Sequence, residues 1–115
     1  MDIINRSAVI MRPKQPFLDW MNEDDKEGLA DGVFQTLGEE PNVYLVPDWE
    51  EPEEQRLVLK EFWPALFEAM LMGWVTDPSL WPKNRTQGMF EEWFEIQTYG
   101  LVDDLYQDEA IEYVT

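Results

Sequence analysis

The sequence contains no cysteine and no histidine among its 115 residues. Without cysteine there is neither a disulfide framework nor a thiolate metal site, which excludes a secreted, disulfide-stapled scaffold and makes the cytoplasm the expected compartment. Without histidine the common catalytic triads and dyads and the histidine-bearing zinc sites fall away too. Serine occurs twice, at Ser7 and Ser79, and neither lies in a glycine-flanked nucleophile turn. Phosphate-binding glycine loops and dinucleotide fingerprints are missing. Long apolar runs are absent as well: Ala8-Val9-Ile10-Met11 is strand-sized, far short of the ~20 residues of a membrane span. The opening Met1-Asp2-Ile3-Ile4-Asn5-Arg6 has no signal-peptide pattern.

Bases are scarce, 8 against 25 acids, for a formal net charge of -17. A field of that sign repels phosphate backbones and anionic lipid headgroups and attracts basic surfaces. Direct nucleic-acid binding and membrane association are therefore disfavoured, and a basic protein surface is the expected partner. The acids are segregated. Residues 23–54 carry -11 and 86–115 carry -8, whereas 1–22 and 55–85 each carry +1.

What the chain has in quantity is apolar and aromatic volume: 44% hydrophobic residues, with six Trp and six Phe. That suffices for one core in a single domain of this size, and no internal repeat or low-complexity linker divides it. Ser7–Arg12, stopped by Pro13, reads as a strand, and Asn42–Val46, between Pro41 and Pro47, as a second. Pro16 opens a brief helix with Phe17, Leu18, Trp20 and Met21. A long helix starts near Asp48–Pro52, where glutamates favour a helix N-terminus, and runs to about Met72, ending at Gly73. Its residues Leu59, Trp63, Leu66, Phe67, Met70 and Trp74 share a face, and Pro64 inside it predicts a kink or a break. Asp77 caps a single turn stopped by Pro82. Thr86 caps a helix bearing Met89, Phe90, Trp93 and Phe94 on one face. Ile96–Val102 reads as a third strand. The acidic tail from about residue 103 fits either a last helix or an extended segment. Together these elements predict an α+β domain, a small mainly antiparallel sheet of about three strands with helices packed on one side.

Two chemical readings of the carboxylates carry little. A glycosidase pair requires two acids fixed across a cleft, one of them desolvated, and no pair stands out. A calcium loop counted from Glu23 places Asp25, Glu27 and Gly28 suitably, but its twelfth position is Phe34, which cannot ligate. No metal and no cofactor is expected, and enzyme is the minority reading.

The candidate binding residues come from elsewhere. Four bases, Arg12, Lys14, Lys83 and Arg85, lie in two proline-bounded stretches; if the stretches converge, they make a positive island able to receive a carboxylate or phosphate. The plainer alternative is that each base neutralises a nearby acid. Of the six Trp, helical spacing assigns Trp63, Trp74 and Trp93 to the core. Trp49 and Trp81, in predicted loops, are candidates for a partly exposed anchor at an interface.

The segments Asn5-Arg6-Ser7-Ala8, Pro13-Lys14-Gln15-Pro16-Phe17-Leu18-Asp19-Trp20, Tyr44-Leu45-Val46-Pro47-Asp48-Trp49 and Leu80-Trp81-Pro82-Lys83-Asn84-Arg85-Thr86, with Met89-Phe90-Glu91-Glu92-Trp93-Phe94, resemble a family of small acidic bacterial proteins of uncharacterised function. The resemblance runs to about residue 105 and implies a bacterial cytoplasmic protein, with no activity, cofactor or catalytic residue to carry over. Three functions remain in view: a non-enzymatic interaction or regulatory protein that presents an acidic surface to a basic protein; a DNA mimic that occupies a DNA-binding protein; and an anionic-ligand binder or enzyme built on the basic island.

Overall fold

The computed structural model describes residues 2–24 and 41–114, and the calcium-loop reading falls largely outside them. Three strands form the main sheet: β2 (Arg6–Pro13) lies between β3 (Asn42–Pro47) and β4 (Phe94–Tyr99), antiparallel to both. A two-residue strand β1 (Asp2–Ile3) pairs with β5 (Asp103–Asp104) beside it. The α+β class and the small antiparallel sheet are thus as the sequence predicts. Because β3 and β4 both run antiparallel to β2, they are parallel to one another, and the chain between them crosses over the central strand. That crossover is helical: α2 (Pro52–Met72), a single 3-10 turn (Pro78–Leu80) and α3 (Gln87–Trp93). α1 (Gln15–Asp24) follows β2 directly.

Side-chain alternation decides which sheet face the helices cover. Val9 and Met11 of β2 face the same way as Tyr44 and Val46 of β3 and Phe94 and Ile96 of β4, because Val9 pairs with Tyr44 and Met11 with Ile96. Val9, Met11, Val46 and Phe94 are buried together with Phe17, Trp20 and Met21 of α1, Leu66, Phe67, Met70 and Leu71 of α2, and Phe90 of α3. The opposite face carries Val43, Leu45 and Tyr99, all exposed, with Ile10 half-buried between them. The described helices therefore pack on one side of the sheet.

The centre of the core is aromatic. Phe67 lies 5.2 Å from Phe94, edge to face, and 5.5 Å from Trp93, while Phe17 lies 5.2 Å from Phe94. Burial of each such ring is worth roughly 1.5–3 kcal/mol, and each tilted pair about 0.5–1.5 kcal/mol more.

Two details depart from the sequence expectations, Phe94 and the bounds of the third strand, and two alternatives left open there, at Pro64 and in the tail, are narrowed. The long helix does not break at Pro64: one helix runs through it. Pro64 and Lys60, whose carbonyl loses its amide partner, are both exposed, so water can satisfy the acceptor that the proline orphans. Phe94 is not a helix residue but the first residue of β4, the helix ending at Trp93. The third strand begins at Phe94 and stops at Tyr99, three residues before Val102. Past Asp104 the tail forms no helix and lies exposed and without regular structure as far as residue 114.

Candidate functional site

Two places concentrate the residues of interest, one at each end of β2. The first is built on Ser7, a fully buried polar side chain. Its hydroxyl donates to the carbonyl of Gly100 (3.0 Å) and accepts from the backbone N–H of Trp49 (3.1 Å). One hydroxyl thus ties the loop before α2 to the loop after β4. The Trp49 indole seals the contact by lying on Gly100: a Cβ there would sit 3.1 Å from Trp49 Nε1 and 3.4 Å from its carbonyl oxygen, space that only glycine leaves. Trp49 is half-buried, so its partly exposed placement agrees with the sequence reading, but its ring closes an internal seam.

The consequence is electrostatic. The acidic stretch from Asp48 to Glu54 begins at this seam, and Asp103 and Asp104 lie just beyond its other side, held by pairing with β1 and by the bond from Ile4 N–H to the Val102 carbonyl (2.9 Å). Glu53 and Glu54 occupy the first turn of α2, where the helix dipole favours them, and Glu54 accepts from the Glu50 N–H (3.3 Å). Acids separate in sequence thus lead away from one Ser7-centred seam, on the Trp49 side and on the Gly100 side.

Little neutralises them. Among the described residues one ion pair forms, Arg85 with Glu68 at 3.1 Å. Other bases donate to uncharged acceptors: Arg6 to the Asn5 carbonyl (2.8 Å), Arg12 to Gln97 Oε1 (3.0 Å) and Lys14 to the Glu91 carbonyl (3.0 Å). Among the described residues, then, these bases bond uncharged acceptors rather than acids.

The second place lies at the Pro13 end of β2, a groove of about 540 Å³ between α1 and the 3-10 turn. Trp20, Trp81, Trp93 and Pro82 line it together with the exposed acids Asp19 and Glu23. Asp77 builds the turn by accepting from both the N–H (3.0 Å) and the hydroxyl (2.8 Å) of Ser79, bonds that hold its carboxyl below the usual range. Trp81 is buried rather than partly exposed: its indole N–H donates to the Val75 carbonyl at 2.7 Å, and only 8% of the residue reaches solvent. Trp93, assigned to the core by spacing, is half-buried and more open than Trp81.

Arg85 buttresses Trp81 from behind. Its guanidinium lies 5.8 Å from the Trp81 ring and 5.9 Å from that of Phe67, and donates to the Pro82 carbonyl (2.7 Å) as well as to Glu68. Asn84, at φ 60°, makes this return possible, since asparagine tolerates the left-handed region better than most residues.

The six sequence candidates are therefore distributed. Trp81 and Arg85 come together, and Lys83 is exposed next to them in sequence. Lys14 reaches the C-terminal turn of α3. Arg12 projects from the sheet face opposite the helices, and Trp49 sits at the far end of β2. Arg12 thus stands apart from the other bases by its sheet face, whereas Pro16 and Pro82, one from each proline-bounded stretch, line the same groove. The groove acids Asp19 and Glu23, and Ser7 as a linking group, were missed by sequence reasoning. The spacing of Asp19 and Glu23, four apart around Trp20, was a usable signal for the former; nothing local marks Ser7. Among the described residues no group of three or more acids is placed to hold a metal ion, and no helix is long and apolar enough to cross a membrane.

No family model matches the chain, and comparison with curated proteins and with solved structures gives no match.

Proposed function

We propose that this protein is a non-enzymatic interaction or regulatory protein that presents an acidic face to a basic surface of another protein. One observation carries the reading: the Ser7 hydroxyl bridges Trp49 and Gly100, so that the acids following Asp48 and those ending at Asp104 flank a common seam. Adjoining charges of one sign reinforce one another's field, and with a single ion pair among the described residues that field is left largely uncompensated. Trp49, half-exposed at the seam, supplies apolar area beside the charge. A cytoplasmic setting fits a chain without cysteine, and the resemblance to small acidic bacterial proteins belongs to the same proposal.

The test is affinity capture from the native lysate, at low and at near-physiological salt, with mass spectrometry of what is retained. The bait is compared with a variant in which Glu50, Glu51, Glu53 and Glu54 become Gln and Asp103 and Asp104 become Asn. A specific partner held by the wild type and lost with the variant supports the proposal. Equal retention by both baits, or no specific partner at either salt, contradicts it. If the partner is a DNA-binding protein released by duplex DNA, the face acts as a DNA mimic.

A further inference from the structure

We infer that the groove between α1 and the 3-10 turn receives an arginine side chain from an extended segment of a partner. The inference stands apart from the acidic seam, since Ser7 and Pro13 are six residues apart on β2, about 20 Å at the usual strand rise.

Three features of the groove select a guanidinium. Of the three indoles that line it Trp93 is the most open, an aromatic surface that attracts cations, and a planar guanidinium is suited to stacking on such a ring and is more weakly hydrated than an ammonium. The Arg85 guanidinium already lies 5.8 Å from the Trp81 ring centroid, a cation–π contact of the kind proposed for the ligand. Asp19 and Glu23 are exposed and one helical turn apart on α1, so their carboxylates project along one side of the groove. Like charges at this spacing disfavour the helix, and a guanidinium seated between them relieves the repulsion and donates a forked pair of hydrogen bonds to the carboxylates. Asp19 Oδ1 also accepts from Gln15 (2.9 Å), which orients the carboxylate without neutralising it. Two bases near the groove are engaged elsewhere, Lys14 with the Glu91 carbonyl and Arg85 with the Pro82 carbonyl and Glu68.

The volume, about 540 Å³, lies within the range of ligand-binding clefts and exceeds one side chain, so there is room for the peptide backbone along Pro82 and the exposed Leu80. Trp20 packs in tilted contacts with Phe17 (5.5 Å) and Trp93 (6.2 Å), which tie the groove's aromatic lining to the core.

The test is a titration of the full chain with a blocked pentapeptide holding a central arginine between glycines, followed through the six indole N–H signals by NMR. Matched peptides carry lysine or the neutral isostere citrulline in the central position. Saturable shifts confined to Trp20, Trp81 and Trp93 are expected with arginine at millimolar peptide, about tenfold weaker with lysine and absent with citrulline. The double variant Asp19→Asn/Glu23→Gln should weaken arginine binding about tenfold without lowering the urea midpoint. Equal response to arginine and lysine, shifts centred on Trp49, binding that survives the double variant, or no saturable shift overturns the inference. Because Trp49 reports on the seam, the groove can fail without touching the acidic face, and the converse.

Discussion

Replacing Ser7 with alanine isolates the geometry of the acidic face from its charge, because the substitution alters no ionisable group. Ser7 is fully buried, and its hydroxyl is both donor to the Gly100 carbonyl and acceptor from the Trp49 N–H. Alanine leaves both backbone groups without that partner at a seam from which the Trp49 ring excludes much of the water. An unsatisfied buried group costs about 1–3 kcal/mol, and partial access of water to the seam holds the pair near the lower end, so the expected loss is about 2 kcal/mol. For a domain of this size that corresponds to a fall in melting temperature of roughly 10 °C. Urea unfolding followed by circular dichroism measures the loss, and amide hydrogen exchange locates it. The Trp49 amide should exchange much faster, whereas the amides of α3, on the far side of the core, should change no more than global stability requires. A loss below about 0.5 kcal/mol with unchanged exchange at Trp49 would refute the claim that Ser7 holds the two loops together.

Four further outcomes follow from the same contacts. Gly100→Ala places a methyl 3.1 Å from the Trp49 indole and 3.4 Å from its carbonyl, so it should cost about 1–3 kcal/mol in urea unfolding and quench or shift Trp49 fluorescence. Thr86→Ala removes the acceptor for the Met89 N–H (3.1 Å) and should cost about 1 kcal/mol, with Thr86→Ser restoring most of it by the same assay. Arg85→Met should destabilise more than Glu68→Gln, about 1–2 kcal/mol against under 1 kcal/mol, because the guanidinium bonds to Pro82 and lies over two rings while the ion pair itself is largely exposed. Burial raises the Tyr44 phenol above its ordinary pKa, outweighing the opposing bond from Asn42 (2.9 Å). Folding therefore favours the protonated phenol, whose contribution is fully present below pH ~10 and is lost as pH rises through the raised value. Alkaline unfolding scans should show this loss in the wild type and not in Tyr44→Phe.

Local chemistry explains what was legible in the sequence. The strand around Val9 is a β-branched run stopped by Pro13 and that around Tyr44 lies between Pro41 and Pro47, and the Asp77 and Thr86 caps rest on side chains that bond their own neighbouring backbone, so each is written within a few residues. The stripe from Leu59 to Trp74 likewise needs only helical periodicity, although it omits Leu71, which is fully buried. Long-range relations were not legible. Ser7 gains its role from Gly100, 93 residues away. β1 and β5 are two residues each, too short for any pattern to mark. Trp81 looks like a loop residue next to prolines, yet the Val75 carbonyl and Arg85 draw it inward, while Trp93, helically spaced with core residues, keeps a side open because α3 ends there. Charge segregation was visible in the sequence, but whether the two acidic blocks meet depends on the crossover between β3 and β4.

The most direct test of that meeting is a calorimetric titration of the protein with an octa-lysine peptide at graded salt, comparing the wild type with neutralised variants of each block and of both. Lysine is chosen because it probes the acidic face without the stacking that distinguishes arginine. If the blocks form one face, the peptide binds with a single stoichiometry. Neutralising either block then weakens the same binding event, and the combined loss departs from the sum of the two. Two independent binding events, each abolished by neutralising its own block and indifferent to the other, would contradict the account.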